Sequence, residues 1–361
     1  DYVLYGVADS GCLCTSNIGD GLDMVSGIIN LQRHFFLDSH KEIFRNEYIT
    51  INLFRYPSGV EAIEVKNLRG RMIILPYMGQ MIWDLKFDGL DLKMKNMFSQ
   101  PKQVANVVDT YGCFAFHSGL LRNGCPGPED DYELHGEMAC ADMDRAWVEI
   151  TNRGVKICGE TEYVKGFGHH YLARPTVEMF NDETFIEISM NVKNLSGFEM
   201  PLQYMCHTNY TYKENAIMKQ NIPDSAFKLR ETIPDHVIPT EKWLKYNERL
   251  QSGEERITKL NQPVMYDPEI VFFADELNKY QSVAEFEMLL ADGNVFFTRF
   301  STAELNYATR WILHNSDQQV GAFILPATCR PEGFMAAKKS GTLLMLKAGE
   351  EKTFTVITGK K

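Results

Sequence analysis

The sequence predicts an all-β protein, one large sandwich of packed antiparallel sheets with a few short helices. Period-2 alternation of apolar and polar residues recurs from about residue 48 to the end. Turn-forming clusters of Gly, Pro, Asn and Asp punctuate the alternating runs, and long amphipathic helices do not intervene as a parallel α/β sheet would need.

Each run follows the same logic. In 184–194, Ile186, Ile188, Met190 and Val192 fall on one face and Glu187, Ser189, Asn191 and Lys193 on the other, as in a strand with one buried side. Similar runs cover 72–75, 81–87, 147–158, 284–290, 294–300, 320–325 and 353–357. Pro57-Ser58-Gly59, Asn152-Arg153-Gly154, Asp292-Gly293-Asn294 and Lys347-Ala348-Gly349 supply turns. Two segments read as helix. Residues 21–30 form the weaker candidate. Residues 240–250 form the stronger, with Thr240 as N-cap after Pro239 and an apolar stripe of Trp243, Leu244 and Leu250. The polar stretch 220–267 around it reads as a long excursion between strands, a common form for a functional loop. No linker or short-period repeat divides the chain.

At 361 residues, 44% hydrophobic and 12% aromatic, the chain can bury a sizeable core. Its formal net charge of -11, without a Lys/Arg run, argues against nucleic acid and anionic membranes as partners. No apolar stretch approaches the ~20 residues that a membrane helix needs. Asp1–Tyr5 lacks the basic start and apolar run of a secretory signal, and no initiating Met is present. Eight cysteines are too sparse for a disulfide scaffold. Cys12 and Cys14 form a close pair, but no second pair follows at zinc-site spacing. These features point to reduced thiols, a cytoplasmic location, no metal and no cofactor, with the oligomeric state open.

Two histidines stand out by context. His135 follows a loop rich in Gly, Pro and Asp, and His207 ends an apolar strand beside Thr208 and Asn209. With a pKa near neutrality, histidine serves as acid or base; the competing reading is a buried, hydrogen-bonded imidazole. His117 precedes a Gly-containing turn and is a further candidate for the same cleft. The adjacent pair His169-His170 resembles a metal pair, but neighbouring side chains on a strand point to opposite faces. Arg71, Arg122, Arg174 and Arg330 offer planar donor forks for hydroxyl or carboxylate groups, each also readable as a surface ion-pair residue. Trp83, Tyr163 and Trp311 could stack on a sugar ring or fill the core. No phosphate-binding Gly-rich loop, Gly-x-Ser-x-Gly elbow or His-Glu-x-x-His is present.

In order, these segments resemble the galactose mutarotase (aldose 1-epimerase) superfamily, most of all its DUF4432 branch. Residues 71–84, with Pro76 and Gly79 before an apolar strand, resemble the family's first hairpin. Gly119-Leu120-Leu121 and Leu134-His135-Gly136 resemble its central region. Asn191-Val192-Lys193-Asn194-Leu195-Ser196, Pro201 and His207-Thr208-Asn209 resemble the stretch that bears its acid. Phe323–Gly333 with Leu346–Glu350 resembles its C-terminal stretch. The resemblance covers about residues 48–358. It implies a β-supersandwich domain over 48–361 and a small carbohydrate bound in an open cleft; residues 1–47 match no part of the family and are expected to form an extension packing on the domain.

The resemblance also implies roles. His207 would be the acid that protonates the ring oxygen and His135 a partner that polarises the sugar. Arg71, His117, Arg122, Asn209 and Arg330 would bind it. Where mutarotases carry the base glutamate, this chain has Leu325, which accepts no proton. Glu332, Glu133 and Glu137 are the candidate substitutes, with Glu332 foremost. The expected function is an aldose 1-epimerase-like isomerase. The alternatives are a sugar-binding protein without turnover and a different sugar isomerase or lyase on the same scaffold.

Overall fold

A computed structural model describes residues 24–361. The alternating runs form strands that pair antiparallel throughout and gather into two sheets. The nine-stranded sheet runs Val25–Asn30, Arg145–Thr151, Gly154–Val164, His170–Phe180, Phe185–Asn194, Glu351–Lys360, Val295–Ser301, Val283–Leu289, Ile217–Gln220. The thirteen-stranded sheet runs Phe227–Leu229, Ile270–Ala274, Tyr307–His314, Gln319–Ala327, Met200–Thr208, Ala115–Leu120, Met81–Phe87, Gly70–Leu75, Glu61–Lys66, Thr50–Arg55, Lys41–Arg45, with Leu344–Leu346 and Leu90–Asp91 paired alongside. The all-β sandwich expected from the alternation is the fold.

Burial follows the alternation. Ile186, Ile188, Met190 and Val192 all enter the core, which draws side chains from both sheets. Tyr204 of one sheet stacks on Phe354 of the other with ring centroids 5.0 Å apart. The run 147–158 proves to be two strands, turning at Asn152-Arg153.

The helix over Glu241–Ser252 starts as expected, with Thr240 Oγ1 accepting from Trp243 N at 3.2 Å. Its buried stripe is Trp243, Tyr246 and Leu250; Leu244 faces outward, one position off the helical repeat that the other three share. The helix expected over 21–30 is a strand in its described part. Val25–Asn30 pairs with Arg145–Thr151, where β-branched Val25, Ile28 and Ile29 suit an extended edge. Lys41–Arg45 likewise forms an edge strand, so the described part of 1–47 adds a strand to each sheet. Residues 21–23, like Cys12 and Cys14, lie outside the described residues. Among the described residues no helix is long and apolar enough to cross a membrane, and no His/Cys/Asp/Glu group has the makings of a metal site.

Candidate active site

Met200–Thr208 is buried along its whole length, because one of its faces meets the nine-stranded sheet and the other closes the base of a cleft. Its register with Ala115–Leu120 sets His207 opposite Phe116 and Met205 opposite Ser118, which places these four on one face. Cys206 opposite His117 belongs to the other face. His117 therefore points into the core, its Nδ1 2.9 Å from the Tyr204 hydroxyl, and burial pushes its pKa down to about 4.

His135 reaches the same face from a tight loop. Its backbone adopts φ 67°, an uncommon conformation for a residue with a side chain and one enriched at functional sites. The loop holds it there. His135 N donates to Gly124 O at 2.9 Å and Gly119 N donates to His135 O at 3.1 Å. A Cβ on Gly136 (φ 76°) would stand 2.1 Å from Arg122 O, and one on Gly119 would stand 2.3 Å from Gln203 O. The close approach of these backbones explains both glycines of the two central motifs.

The two imidazoles meet edge to face, ring centroids 4.7 Å apart, and Phe116 stacks on His207 at 4.5 Å. Asn209 Nδ2 donates to Cys113 O at 3.0 Å, which turns Asn209 Oδ1 toward His207 Nδ1 at 2.8 Å. His207 Nδ1 thus carries the proton, leaving Nε2 as acceptor for the Tyr111 hydroxyl at 3.2 Å. Ser118 Oγ donates to Asn123 Oδ1 at 2.6 Å and lies 3.0 Å from His135 Nδ1, so His135 Nδ1–H donates to Ser118. Burial drives both pKa values down, His207 to about 3 and His135 well below its usual value, with His207 adding to the effect on His135. Both rings rest neutral.

The cleft above them has a volume of 440 Å³. Trp311 stands 5.7 Å from His207, centroid to centroid, and donates Nε1–H to Glu269 Oε2 at 2.8 Å. Glu269 is only 8% exposed. Its second oxygen lies 3.4 Å from His236 Nε2, and its backbone carbonyl accepts from Trp243 Nε1 at 2.6 Å. Arg230 and Cys125 line the wall together, Arg230 donating to Cys125 Sγ at 3.7 Å. Phe98, Met97, Val271 and Leu313 make the rest largely apolar.

Of the residues singled out in the sequence, His135, His207 and Trp311 line the cleft, and Asn209 stands directly behind His207. The other candidate histidines, arginines, glutamates and aromatics lie elsewhere. Glu332 accepts from Thr232 Oγ1 at 2.8 Å, has Arg330 at 3.6 Å, and lines a separate depression with Arg330 and Asp275. Arg330 is engaged by Asp275 at 2.6 Å. Arg71 lies between Glu64 (3.4 Å) and Asp84 (3.9 Å) on the far part of its sheet. Arg122 stacks over Phe334 at 3.8 Å, and Arg174 pairs with Glu160 at 2.8 Å. Glu137 clamps the backbone N–H groups of Leu120 and Leu121 (2.9 and 2.7 Å) and takes the Tyr171 hydroxyl, while Glu133 is exposed. Trp83 is core, Tyr163 stacks on Tyr171, and His170 faces Glu162 while His169 lies against Phe198.

Leu325 does reach the cleft. It is 1% exposed and packs with Met205, Leu313 and Ala327 in a small apolar cluster. Its strand partner is Thr309, which also lines the cleft.

Sequence reasoning missed Tyr111, Glu269, Arg230 and His236. The last two belong to the excursion 220–267, whose length and polarity already set it apart. Glu269 follows that excursion at the head of the apolar strand Ile270–Ala274, a position where a carboxylate ends a loop and faces a cleft. Tyr111 carried no pattern in the chain.

A candidate aldose 1-epimerase from Klebsiella pneumoniae superposes over 92% of this chain and 90% of its own, with a TM-score of 0.76 at 13% identity. A galactose mutarotase-like protein from Clostridium acetobutylicum covers 88% of this chain and 99% of its own, with a TM-score of 0.62 at 14% identity. The fold is galactose mutarotase-like. A galactose mutarotase related enzyme from Lactobacillus acidophilus matches the same mutarotase-like sandwich over 83% of this chain and 97% of its own, with a TM-score of 0.57 at 14% identity. No protein-family model and no curated protein matches the chain.

Proposed function

We propose that the protein is an enzyme of the aldose 1-epimerase type, a DUF4432-branch relative that interconverts the anomers of a small sugar in this cleft. The observation that carries this reading is the arrangement of two buried neutral histidines beside a carboxylate, Glu269, with Trp311 between His207 and Glu269. Tyr111 and Trp311 offer aromatic faces to the apolar side of a sugar ring. Arg230 and His236 offer donors to its hydroxyls.

Anomer exchange moves two protons. The C1–O5 bond breaks as the ring oxygen takes one proton and the anomeric hydroxyl releases another, leaving an open-chain aldehyde. Rotation about C1–C2 and the reverse transfers close the other anomer. In this reading His207 Nε2 delivers the proton to the ring oxygen and Glu269 accepts the anomeric one, with the directions reversed on closure. Glu269 takes the part assigned in the sequence to Glu332, since Glu332 does not line the cleft. His207 rests neutral with Nε2 unprotonated, so Nε2 first takes up a proton from solvent, and this is the proton that the ring oxygen receives.

Leu325 favours a second reading, a sugar-binding protein without turnover. Where a mutarotase would have its base, this cleft has an apolar wall.

NMR saturation exchange between the anomers of common aldoses and ketoses, with and without protein, separates the two. Acceleration that His207→Ala abolishes supports the enzyme. Binding of a sugar without acceleration supports the second reading. A new reducing end or absorbance band would point instead to another sugar isomerase or lyase.

A further inference from the structure

Behind the cleft wall lies a second depression, of 460 Å³, bounded by Phe227–Leu229, the end of the Glu241–Ser252 helix and the back of Tyr307–His314. Thr309 and Trp311 face the sugar cleft; Arg310, between them, faces the other way, opposite Phe272. Arg310 is only 6% exposed, yet no ion pair engages it among the described residues. Its Nε donates to Phe323 O and an Nη to Gln220 Oε1, both at 3.0 Å, and its guanidinium carbon lies 4.0 Å from the centroid of the Phe227 ring. Both acceptors are neutral. Asp224 acts on Arg310 by charge but makes no ion pair with it, and accepts from the Gln220 amide.

Desolvation lowers the Arg310 pKa to about 9, with the charge of Asp224 acting in the opposite direction. The remaining donors of the fork have no protein acceptor among the described residues, and Arg310 lines the depression. Lys228 and Arg256 add positive charge at the rim. Of the acidic residues lining it, Glu255 is taken by Arg249 at 2.7 Å, Asp224 accepts from Gln220, and Glu231 is exposed. Met218, Phe227, Leu250, Ile257 and Phe272 give the walls an apolar character.

We infer that this depression binds a small amphiphilic oxyanion, its carboxylate or phosphate head clamped by Arg310 and its apolar body held against Phe227 and Phe272. The volume falls in the range of small-molecule sites. The site is independent of the sugar cleft and of the reading given to it.

Methionine methyl NMR on the full chain reads the two sites separately, since Met218 lines this one and Met97 and Met205 line the other. The probes are hexanoate and hexyl phosphate, with hexanol as the uncharged control. Saturable movement of the Met218 signal by either anion, with Met97 and Met205 still and hexanol at least about tenfold weaker, is the expected result, tenfold being about 1.4 kcal/mol, the low end for a charged hydrogen bond. Whichever anion binds tighter identifies the head. Arg310→Gln should weaken binding by at least about tenfold, and Arg256→Glu, at the exposed rim, should weaken it without a change of fold. If neither anion moves Met218, if hexanol binds as well, or if both variants bind as the parent does, the inference is overturned.

Discussion

Asn209 Oδ1 lies 2.8 Å from His207 Nδ1, and the Asn209 amide is itself oriented by its bond to Cys113 O at 3.0 Å. This pair decides which nitrogen of His207 is free to work. Asn209→Asp would set a negative charge against Nδ1–H and raise the His207 pKa from about 3. NMR titration of the imidazole should show the rise. Asn209→Leu should leave sugar binding largely intact and slow anomer exchange by about 10²-fold, the lower range for a misplaced acid–base group.

The carboxylates make opposite predictions. Glu269→Gln should slow anomer exchange by about 10²–10⁴-fold while a sugar still binds. Glu332→Gln should leave exchange within about twofold of the parent, because its carboxylate lies outside the cleft, on Thr232 and Arg330. Equal effects of the two variants would remove Glu269 from its proposed role.

Placing a glutamate at Leu325 should not supply a working base. The position sits in an apolar cluster with Met205, Leu313 and Ala327, so Leu325→Glu would bury a charge without a partner and destabilise the fold by about 3 kcal/mol or more. Leu325→Met, nearly equal in volume, should cost less than about 1.5 kcal/mol. Urea denaturation of the two variants measures the contrast.

Three buried histidines make stability depend on pH in a definite direction. His117, His135 and His207 all have folded pKa values below the unfolded value near 6.5. Between the folded and unfolded values the unfolded chain binds more protons, so stability falls as pH drops below about 6.5, and is fully present above it. Each histidine contributes a slope of at most about 1.4 kcal/mol per pH unit. Urea midpoints should therefore fall steadily from pH 7.5 to pH 5. His117→Gln, which removes one such group away from the cleft, should flatten that fall.

If His207 is the acid, the same depressed pKa gives catalysis a slope of its own. Its protonated fraction rises about tenfold for each unit of falling pH above its pKa of about 3. Anomer exchange corrected for the uncatalysed rate should rise from pH 8 to pH 6. A flat profile would mean that neutral His207 is the working form.

Strands and their buried faces were legible in the chain because both follow from local alternation. The run 184–194 needed no more than its own pattern to place Ile186 and Met190 inside. The helix at 241–252 was legible from Thr240 and its spacing of apolar residues. Val25–Asn30 was not, because an edge strand takes its partner, Arg145–Thr151, from more than a hundred residues away. The site divides in the same way. His207 showed itself by ending an apolar strand beside Asn209, and His135 by its place between a turn-rich loop and Gly136. Arg71, Arg122 and Arg330 carried the right chemistry, but each is held by a local partner that the chain order does not reveal.

By itself, then, the sequence determined the all-β sandwich, the strands with a clear alternation, the capped helix and the two histidines, since these rest on contacts between near neighbours or on the period of the strand. Only the tertiary structure decided that His117 turns into the core, that Glu332 stays outside the cleft, and that Glu269, Tyr111, Arg230 and His236 stand in it. Those outcomes depend on strand register and on how the 220–267 excursion folds back over the sheet. A one-residue change of register moves a side chain to the opposite face, and no local pattern carries that information.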